Sequence, residues 1–243
     1  MAHFILIHGA SHGGWCWDKL VKLLKADGHS VAAPDLPGAG SDRTHLADID
    51  LPLYVKRVVA AIDAAPSRPV LVGHSMGGVS ITAAGEARAD KIACLVFLCA
   101  MMPADGQYAR EISARLPGSL LSRSLEMAND GISYTYKKAN APTLFYNDCT
   151  PEDVYAAMQR LRPMPRNVTM TPVHTTPERF GRLKRVYIEC TLDQAIPLEL
   201  QRYMEKALPP DRTITMQTGH SPFLSAPEDL ARHFEDIAKW AGV

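Results

Sequence analysis

The chain has 243 residues, of which 47% are hydrophobic, and its 26 lysines and arginines balance its 26 aspartates and glutamates. A balanced charge offers no basic patch to phosphate backbones, so the composition argues against a nucleic-acid-binding protein. A chain of this length and apolar content can bury a sizeable core, and we expect one domain over residues 1–243.

The N-terminal residues and the cysteines narrow the class further. The apolar run from Phe4 to Ile7 is far too short for a secretion signal or a membrane span, which predicts a cytoplasmic protein with no membrane partner. The cysteines are odd in number and lack the spacing of metal ligands, so neither a disulfide framework nor a metal site is expected. They are Cys16, Cys94, Cys99, Cys149 and Cys190.

The hydrophobic pattern alternates between strand-like and helix-like periods over the first hundred residues. Such alternation predicts βα units that form an α/β protein with a mostly parallel sheet. The predicted elements are a strand over 4–7, a helix over 17–26, a strand over 30–33, a helix over 53–64, a strand over 70–72, a helix after residue 77 and a strand over 92–98.

The alternation stops between residues 103 and 182, where short helical pieces and several prolines replace it. We interpret this segment as a small cap inserted into a core formed by residues 1–102 and 183–243. The rhythm then resumes with a strand over 186–188, a helix over 198–208, a strand over 213–216 and a closing helix over 227–240.

The most informative motif is the sequence Gly73-His74-Ser75-Met76-Gly77 at the end of an apolar strand. G-x-S-x-G between a strand and a helix is typical of a nucleophile elbow, a sharp turn that exposes a strained serine at the top of a sheet. Ser75 is therefore the predicted nucleophile.

A serine nucleophile needs a histidine base and an acid that orients this base. Asp193 follows the predicted strand over 186–188, and His220 follows the predicted strand over 213–216. The carboxyl ends of parallel strands meet at one edge of a sheet, and the order serine, acid, histidine is that of α/β-hydrolases. These positions predict a catalytic triad of Ser75, Asp193 and His220.

Other residues compete for the roles of acid and base. Asp35 also ends a strand, but it precedes the serine and adjoins a Pro-Gly loop, and Asp148 and Asp153 lie inside the cap. The remaining histidines fit structural roles, with His12 the hardest to set aside because it follows the loop after the first strand. These histidines are His3, His8, His12, His29, His45, His74, His174 and His233.

The backbone N–H groups of Ala10 and Met76 are the predicted oxyanion hole, since such holes combine the loop after the first strand with the residue after the nucleophile. Candidate residues of the substrate pocket are distributed over the loops at the same edge, although a core role is equally open for the apolar ones. They are Gly9, His12, Met101, Phe145 and Phe223.

Residues 4–17 (FILIHGASHGGWCW), 28–31 (GHSV) and 73–78 (GHSMGG) resemble a branch of the α/β-hydrolase superfamily. That branch contains plant methylesterases, salicylate-binding esterases, hydroxynitrile lyases and related bacterial carboxylesterases. The segment 184–188 leading to Asp193, and Gly219-His220, resemble its acid and base segments. The resemblance implies a core sheet of about six strands flanked by helices, a small cap, no cofactor and often a homodimer, and it supports the triad and the oxyanion donors.

Two positions favour the esterases over the lyases of this branch. The lyases carry a threonine where this chain has Gly9 and a lysine where it has Ser221. We therefore expect a serine carboxylesterase, while a lyase-like or other non-hydrolytic enzyme and a small-molecule receptor of the same fold stay open. The cap carries ten basic and eight acidic residues, a near balance that favours a neutral, fairly apolar small-molecule ester as the partner.

Overall fold

Six parallel strands form the central sheet of the structure, a computed structural model that describes residues 1–243. The sheet has the strand order β2-β1-β3-β4-β8-β9, and a second, antiparallel sheet has the order β5-β6-β7. The strands are β1 (His3–Ile7), β2 (Ser30–Ala32), β3 (Val70–His74), β4 (Cys94–Leu98), β5 (Leu125–Met127), β6 (Ser133–Tyr136), β7 (Met164–Pro165), β8 (Arg185–Cys190) and β9 (Arg212–Met216).

Eleven helices accompany the two sheets. They are α1 (Asp18–Ala26), α2 (Leu51–Asp63), α3 (Gly77–Ala87), α4 (Ala109–Ser113), α5 (Leu120–Ser124), α6 (Ala141–Tyr146), α7 (Pro151–Met158), α8 (Arg166–Met170), α9 (Leu198–Ala207), α10 (Pro222–Ser225) and α11 (Pro227–Ala241). No helix combines the length and the apolar character that crossing a lipid bilayer requires.

The predicted core elements are confirmed, with small shifts at their ends that have local causes. Helix α1 begins at Asp18, one residue later than predicted, because residues 14–17 form a tighter 3-10 turn. Helix α2 begins at Leu51, two residues earlier, because the Asp50 carboxylate accepts a hydrogen bond from the Leu53 N–H and caps the first turn.

The two faces of the parallel sheet bury separate apolar clusters because side chains alternate along each strand. One face carries Ile5, Leu71 and Leu95 against α2, α3 and α9. The opposite face carries Phe4 and other strand residues against α1 and α11. The helices therefore cover both faces and leave the carboxyl edge of the strands open for a site.

Residues 103–182 contain the short helices α4–α8, as predicted, and also the antiparallel sheet, which was not predicted. Its strands have only two to four residues, too few for a periodic pattern. The turn between β5 and β6 is held by the Asp130 carboxylate, which accepts hydrogen bonds from the Ile132 and Ser133 N–H groups. The division into one domain with a cap stays a prediction.

Helix α3 packs so closely on the loop after β4 that Gly78 has no room for a side chain. A Cβ atom at Gly78 would overlap the Met101 carbonyl oxygen, a backbone atom. We expect Gly78→Ala to lower the free energy of unfolding in urea by roughly 1–3 kcal/mol, the usual cost of overpacking. Gly85→Ala in the same helix is the control, because a Cβ there meets only side-chain atoms at 3.2 to 3.3 Å. Equal losses in both variants would contradict this account.

Candidate active site

Ser75 lies in the turn between β3 and α3, where its backbone is left-handed with φ of 52°. A non-glycine residue in this conformation costs roughly 1–3 kcal/mol, so its surroundings must hold it. Its N–H donates to the Leu98 carbonyl at 3.3 Å, and its carbonyl accepts from the N–H groups of Gly78 at 3.1 Å and Met101 at 2.9 Å.

Glycines on both sides of Ser75 make this turn sterically feasible. A Cβ at Gly73 would lie 2.9 Å from the Gly77 backbone, and a Cβ at Gly77 would lie 2.7 Å from the Ile7 carbonyl oxygen. Both distances are shorter than real Cβ contacts. The end of β3, the start of α3 and the end of β1 therefore come so close together that only glycine fits at residues 73 and 77.

The predicted acid and base form a buried pair. His220 Nδ1 donates to Asp193 Oδ2 over 2.7 Å, and both side chains are almost fully buried. The other Asp193 oxygen accepts from the N–H groups of Ala195 at 2.7 Å and Ile196 at 2.9 Å. Because the carboxylate can only accept, His220 Nδ1 carries the proton. The second ring nitrogen, Nε2, is left without a hydrogen-bond partner.

Neighbouring side chains fix the backbone of His220. His74 Nε2 donates to the His220 carbonyl oxygen at 2.8 Å, and the Cys99 thiol approaches the same oxygen at 3.5 Å. The ligand atoms of His74, Cys99 and His220 lie within 4.8 Å of one another, the one grouping that a metal ion could use. The contacts of His74 and Cys99 with the His220 carbonyl account for this grouping without a metal.

The predicted oxyanion donors, Ala10 and Met76, line the same cavity as Ser75. Neither backbone N–H donates to an acceptor within the protein. The neighbouring His8 holds the peptide that contains the Ala10 N–H, because His8 Nδ1 bonds to the Gly9 carbonyl oxygen at 2.8 Å. Two unpaired N–H groups in the same cavity lining as the half-buried Ser75 form an arrangement that can stabilise a negatively charged oxygen.

The cavity above Ser75 has a volume of about 70 Å³, and 12 of its 18 lining residues are hydrophobic. The lining residues are Ala10, Ser75, Met76, Met101, Ala109, Arg110, Ser113, Ser119, Leu121, Ser122, Leu125, Tyr134, Tyr136, Phe145, Met164, Thr169, Ala195 and Ile196. Met101 and Phe145, two of the predicted pocket residues, are among them, and their contact with a substrate stays a prediction. Six of the others lie in cap helices of five residues and four in cap strands of two to four residues, and elements this short give no sequence signal.

Three predicted pocket residues do not line this cavity. Phe223 is a core residue, with its ring centroid 4.8 Å from that of Trp17, because α10 turns its apolar side onto the core. Gly9 lies beneath Ser75, where a Cβ would be 2.7 Å from the Ser75 Cβ. His12 is buried, and its two ring nitrogens are engaged within the protein.

The competing acids have structural partners. Asp35 accepts hydrogen bonds from the N–H groups of Gly14 at 2.7 Å and Ser41 at 2.8 Å. Asp148 accepts a hydrogen bond from the Gly219 N–H at 2.6 Å and so anchors the loop that carries His220. The two residues are 71 positions apart in the sequence, so no local pattern could reveal this contact. Asp153 pairs with Lys19 at the surface.

Comparisons with known proteins show which family the chain resembles. Residues 4–233 match the alpha/beta hydrolase family. The Arabidopsis thaliana protein named Putative methylesterase 11, chloroplastic is 32% identical over 98% of this chain and 64% of its own length. Salicylic acid-binding protein 2 of Nicotiana tabacum is 33% identical over 97% of this chain and 96% of its own length. The crystal structure of a pyrethroid hydrolase from Sphingobium faniae JZ-2 superposes with a TM-score of 0.88 and 29% identity, covering 98% of this chain and 97% of that one.

Burial lowers the pKa values of His8, His12 and His74, that of His12 to about 3. The His12 imidazole therefore stays neutral in the folded chain near pH 5, whereas an unfolded histidine takes up a proton below a pH of about 6.5. The unfolded state thus binds more protons, and stability is lost as the pH falls below 6.5.

We expect the free energy of urea unfolding to fall between pH 7.5 and 5.0 by about 1.5–2 kcal/mol for each histidine that stays neutral. Aspartates and glutamates contribute little in this window, since in unfolded chains they titrate near pH of about 4. Equal unfolding free energies at the two pH values would show that these rings titrate alike in both states.

Proposed function

The chain belongs to the alpha/beta hydrolase family and is a carboxylic ester hydrolase, and we propose that it cleaves neutral, largely apolar esters through an acyl-enzyme on Ser75. The observation that carries this proposal is the buried Asp193–His220 pair, which lies at the same sheet edge as the strained Ser75. Esterase names among the relatives of matching length support the same chemistry.

In the first step His220 Nε2 takes the proton of the Ser75 hydroxyl as its oxygen attacks the ester carbonyl carbon. Asp193 holds the ring in the tautomer with the proton on Nδ1 and stabilises the imidazolium that forms. The carbonyl oxygen becomes an oxyanion against the N–H groups of Ala10 and Met76. His220 then gives its proton to the leaving alcohol, and the acyl group stays on Ser75.

In the second step His220 removes a proton from water, and the resulting oxygen nucleophile attacks the acyl-enzyme carbonyl. The second oxyanion occupies the same two N–H groups. Its collapse releases the carboxylic acid as His220 returns the proton to Ser75. The cycle uses no group beyond these residues and water.

The cavity lining supports a neutral and largely apolar substrate. Arg110 is its one charged side chain, and it lies in an exposed position on α4. A charged acyl or alcohol group would lose hydration among apolar side chains such as Met101, Phe145 and Ile196 without gaining a buried partner.

Gly9 and Ser221 support hydrolysis rather than the lyase chemistry of the related branch. A side chain at residue 9 would collide with the Ser75 Cβ, and Ser221 is fully buried. Neither position presents the threonine or lysine that the lyases use. A cytoplasmic location and a homodimer stay predictions from the sequence.

We predict that Ser75→Ala lowers turnover of p-nitrophenyl acetate and butyrate by roughly 10⁴-fold or more, because the acyl-enzyme cannot form. Asp193→Asn should lower kcat by about 10⁴-fold, since an amide favours the wrong imidazole tautomer. Ser67→Ala is the control, as Ser67 is exposed and lies before the start of β3, whereas Ser75 follows the end of that strand. Equal turnover by the native chain and Ser75→Ala on a panel of methyl, aryl and nitrophenyl esters would refute the proposal.

Substrate polarity is tested by two nitrophenyl esters of equal acyl length, the neutral pentanoate and the anionic hemisuccinate. We expect kcat/KM to be at least about tenfold higher for the pentanoate, because a carboxylate buried without a partner costs more than 1.4 kcal/mol. A hemisuccinate that is hydrolysed as well as the pentanoate would contradict the neutral substrate class. Arg110 would then be the candidate partner of its carboxylate.

A further inference from the structure

A buried histidine and a buried tyrosine connect the cap segment to the loop that carries the oxyanion donor. His12 Nδ1 lies 2.7 Å from the Ala10 carbonyl oxygen, and His12 Nε2 lies 2.7 Å from the Tyr146 hydroxyl. Both side chains are almost completely inaccessible to solvent. Neither residue lines the cavity that contains Ser75.

The protonation states of this pair give its hydrogen bonds one direction. Burial is the main cause that lowers the pKa of His12 to about 3, so its ring is neutral and has one donor and one acceptor. The Ala10 carbonyl can only accept, hence Nδ1 donates to it. Nε2 must then accept from the Tyr146 hydroxyl, whose pKa is raised by burial and which keeps its proton.

Histidine side chains therefore hold both peptide groups that flank the Ala10 Cα atom. The preceding peptide, which contains the Ala10 N–H, is fixed through the bond from His8 to the Gly9 carbonyl. The following peptide, which contains the Ala10 carbonyl, is fixed by His12. The next residue, Ser11, is left-handed with φ of 63°, a conformation that its surroundings must hold for a non-glycine residue.

Helix α6, which ends in Tyr146, also contacts the catalytic base. The Phe145 ring lies 5.7 Å from the His220 ring and 5.6 Å from the His12 ring, measured between centroids. One short helix of the cap segment therefore adjoins both the base and the support of the oxyanion loop.

We propose that Tyr146 and His12 are a positioning pair through which helix α6 holds the Ala10 N–H in the direction of the oxyanion. The pair acts on the transition state and leaves ground-state binding unchanged, because the Ala10 N–H matters most when negative charge has formed. This inference rests on the proposed function, since it assigns a support to the oxyanion hole of that reaction.

Tyr146→Phe removes the hydroxyl and keeps the ring. We expect kcat for p-nitrophenyl butyrate to fall about tenfold, less than the 10²–10³-fold loss for a missing oxyanion donor, with KM within about twofold. Tyr54→Phe is the matched control, because Tyr54 is a buried tyrosine of α2 outside the cavity. Its activity should equal that of the native chain.

A pair of inhibitors separates positioning from general damage to the fold. A trifluoromethyl ketone forms a hemiketal oxyanion on Ser75, whereas the corresponding methyl ketone binds as a neutral ground-state analogue. In Tyr146→Phe we expect the affinity for the trifluoromethyl ketone to fall by the same factor as kcat, with the methyl ketone affinity unchanged. Equal losses for both ketones, or an unchanged kcat, would overturn the proposal.

Two variants of His12 extend the test in case Tyr146→Phe loses its fold. The amide nitrogen of His12→Asn can donate to the Ala10 carbonyl as Nδ1 does, whereas His12→Leu cannot. We expect His12→Asn to retain about tenfold more kcat than His12→Leu at similar thermal stability, and equal activities would count against the pair. If the native chain shows no turnover beyond Ser75→Ala, the proposed function itself fails, and the pair then has no oxyanion to position.

Discussion

The left-handed backbone of Ser75 is the constraint on which the site depends. Residues 73–78 turn so tightly that Gly73, Gly77 and Gly78 each contact a backbone segment that would collide with a Cβ atom. Because β3 lies between β1 and β4, this tight turn puts the Ser75 hydroxyl and the Met76 N–H above the ends of those two strands. Since Ile7 at the end of β1 forms part of that contact, the turn also fixes where the loop with Ala10 begins.

The sheet brings the other groups to this turn. Strands β8 and β9 run parallel to β3 and β4, so the loops with Asp193 and His220 leave the same edge as Ser75. Burial then removes competing solvent from the Asp193–His220 hydrogen bond. Three buried, neutral histidines around this pair each donate a hydrogen bond to a backbone carbonyl oxygen. His8 donates to Gly9, His12 to Ala10 and His74 to His220.

The sequence was sufficient for the parallel sheet and for the residues of the proposed triad, because strand periodicity and the G-x-S-x-G turn are local signals. It was insufficient for the cap segment, whose helices have five to eight residues and whose strands have two to four. The sequence also could not place Phe223, because an apolar residue is equally compatible with lining a pocket and with packing against Trp17 in the core. The contact between His12 and Tyr146 spans 134 residues, and no pattern within one sequence reveals such a pair.

The central claim is that Ser75 becomes acylated. Acid quenching within milliseconds of mixing with p-nitrophenyl acetate, followed by mass spectrometry of the peptides, tests it directly. The account predicts an acetyl group on the peptide that contains Ser75, formed together with the first p-nitrophenolate released, and its absence in Asp193→Asn at the same times. Turnover with no acetyl group on Ser75, or with the acetyl group on another residue, would contradict the account.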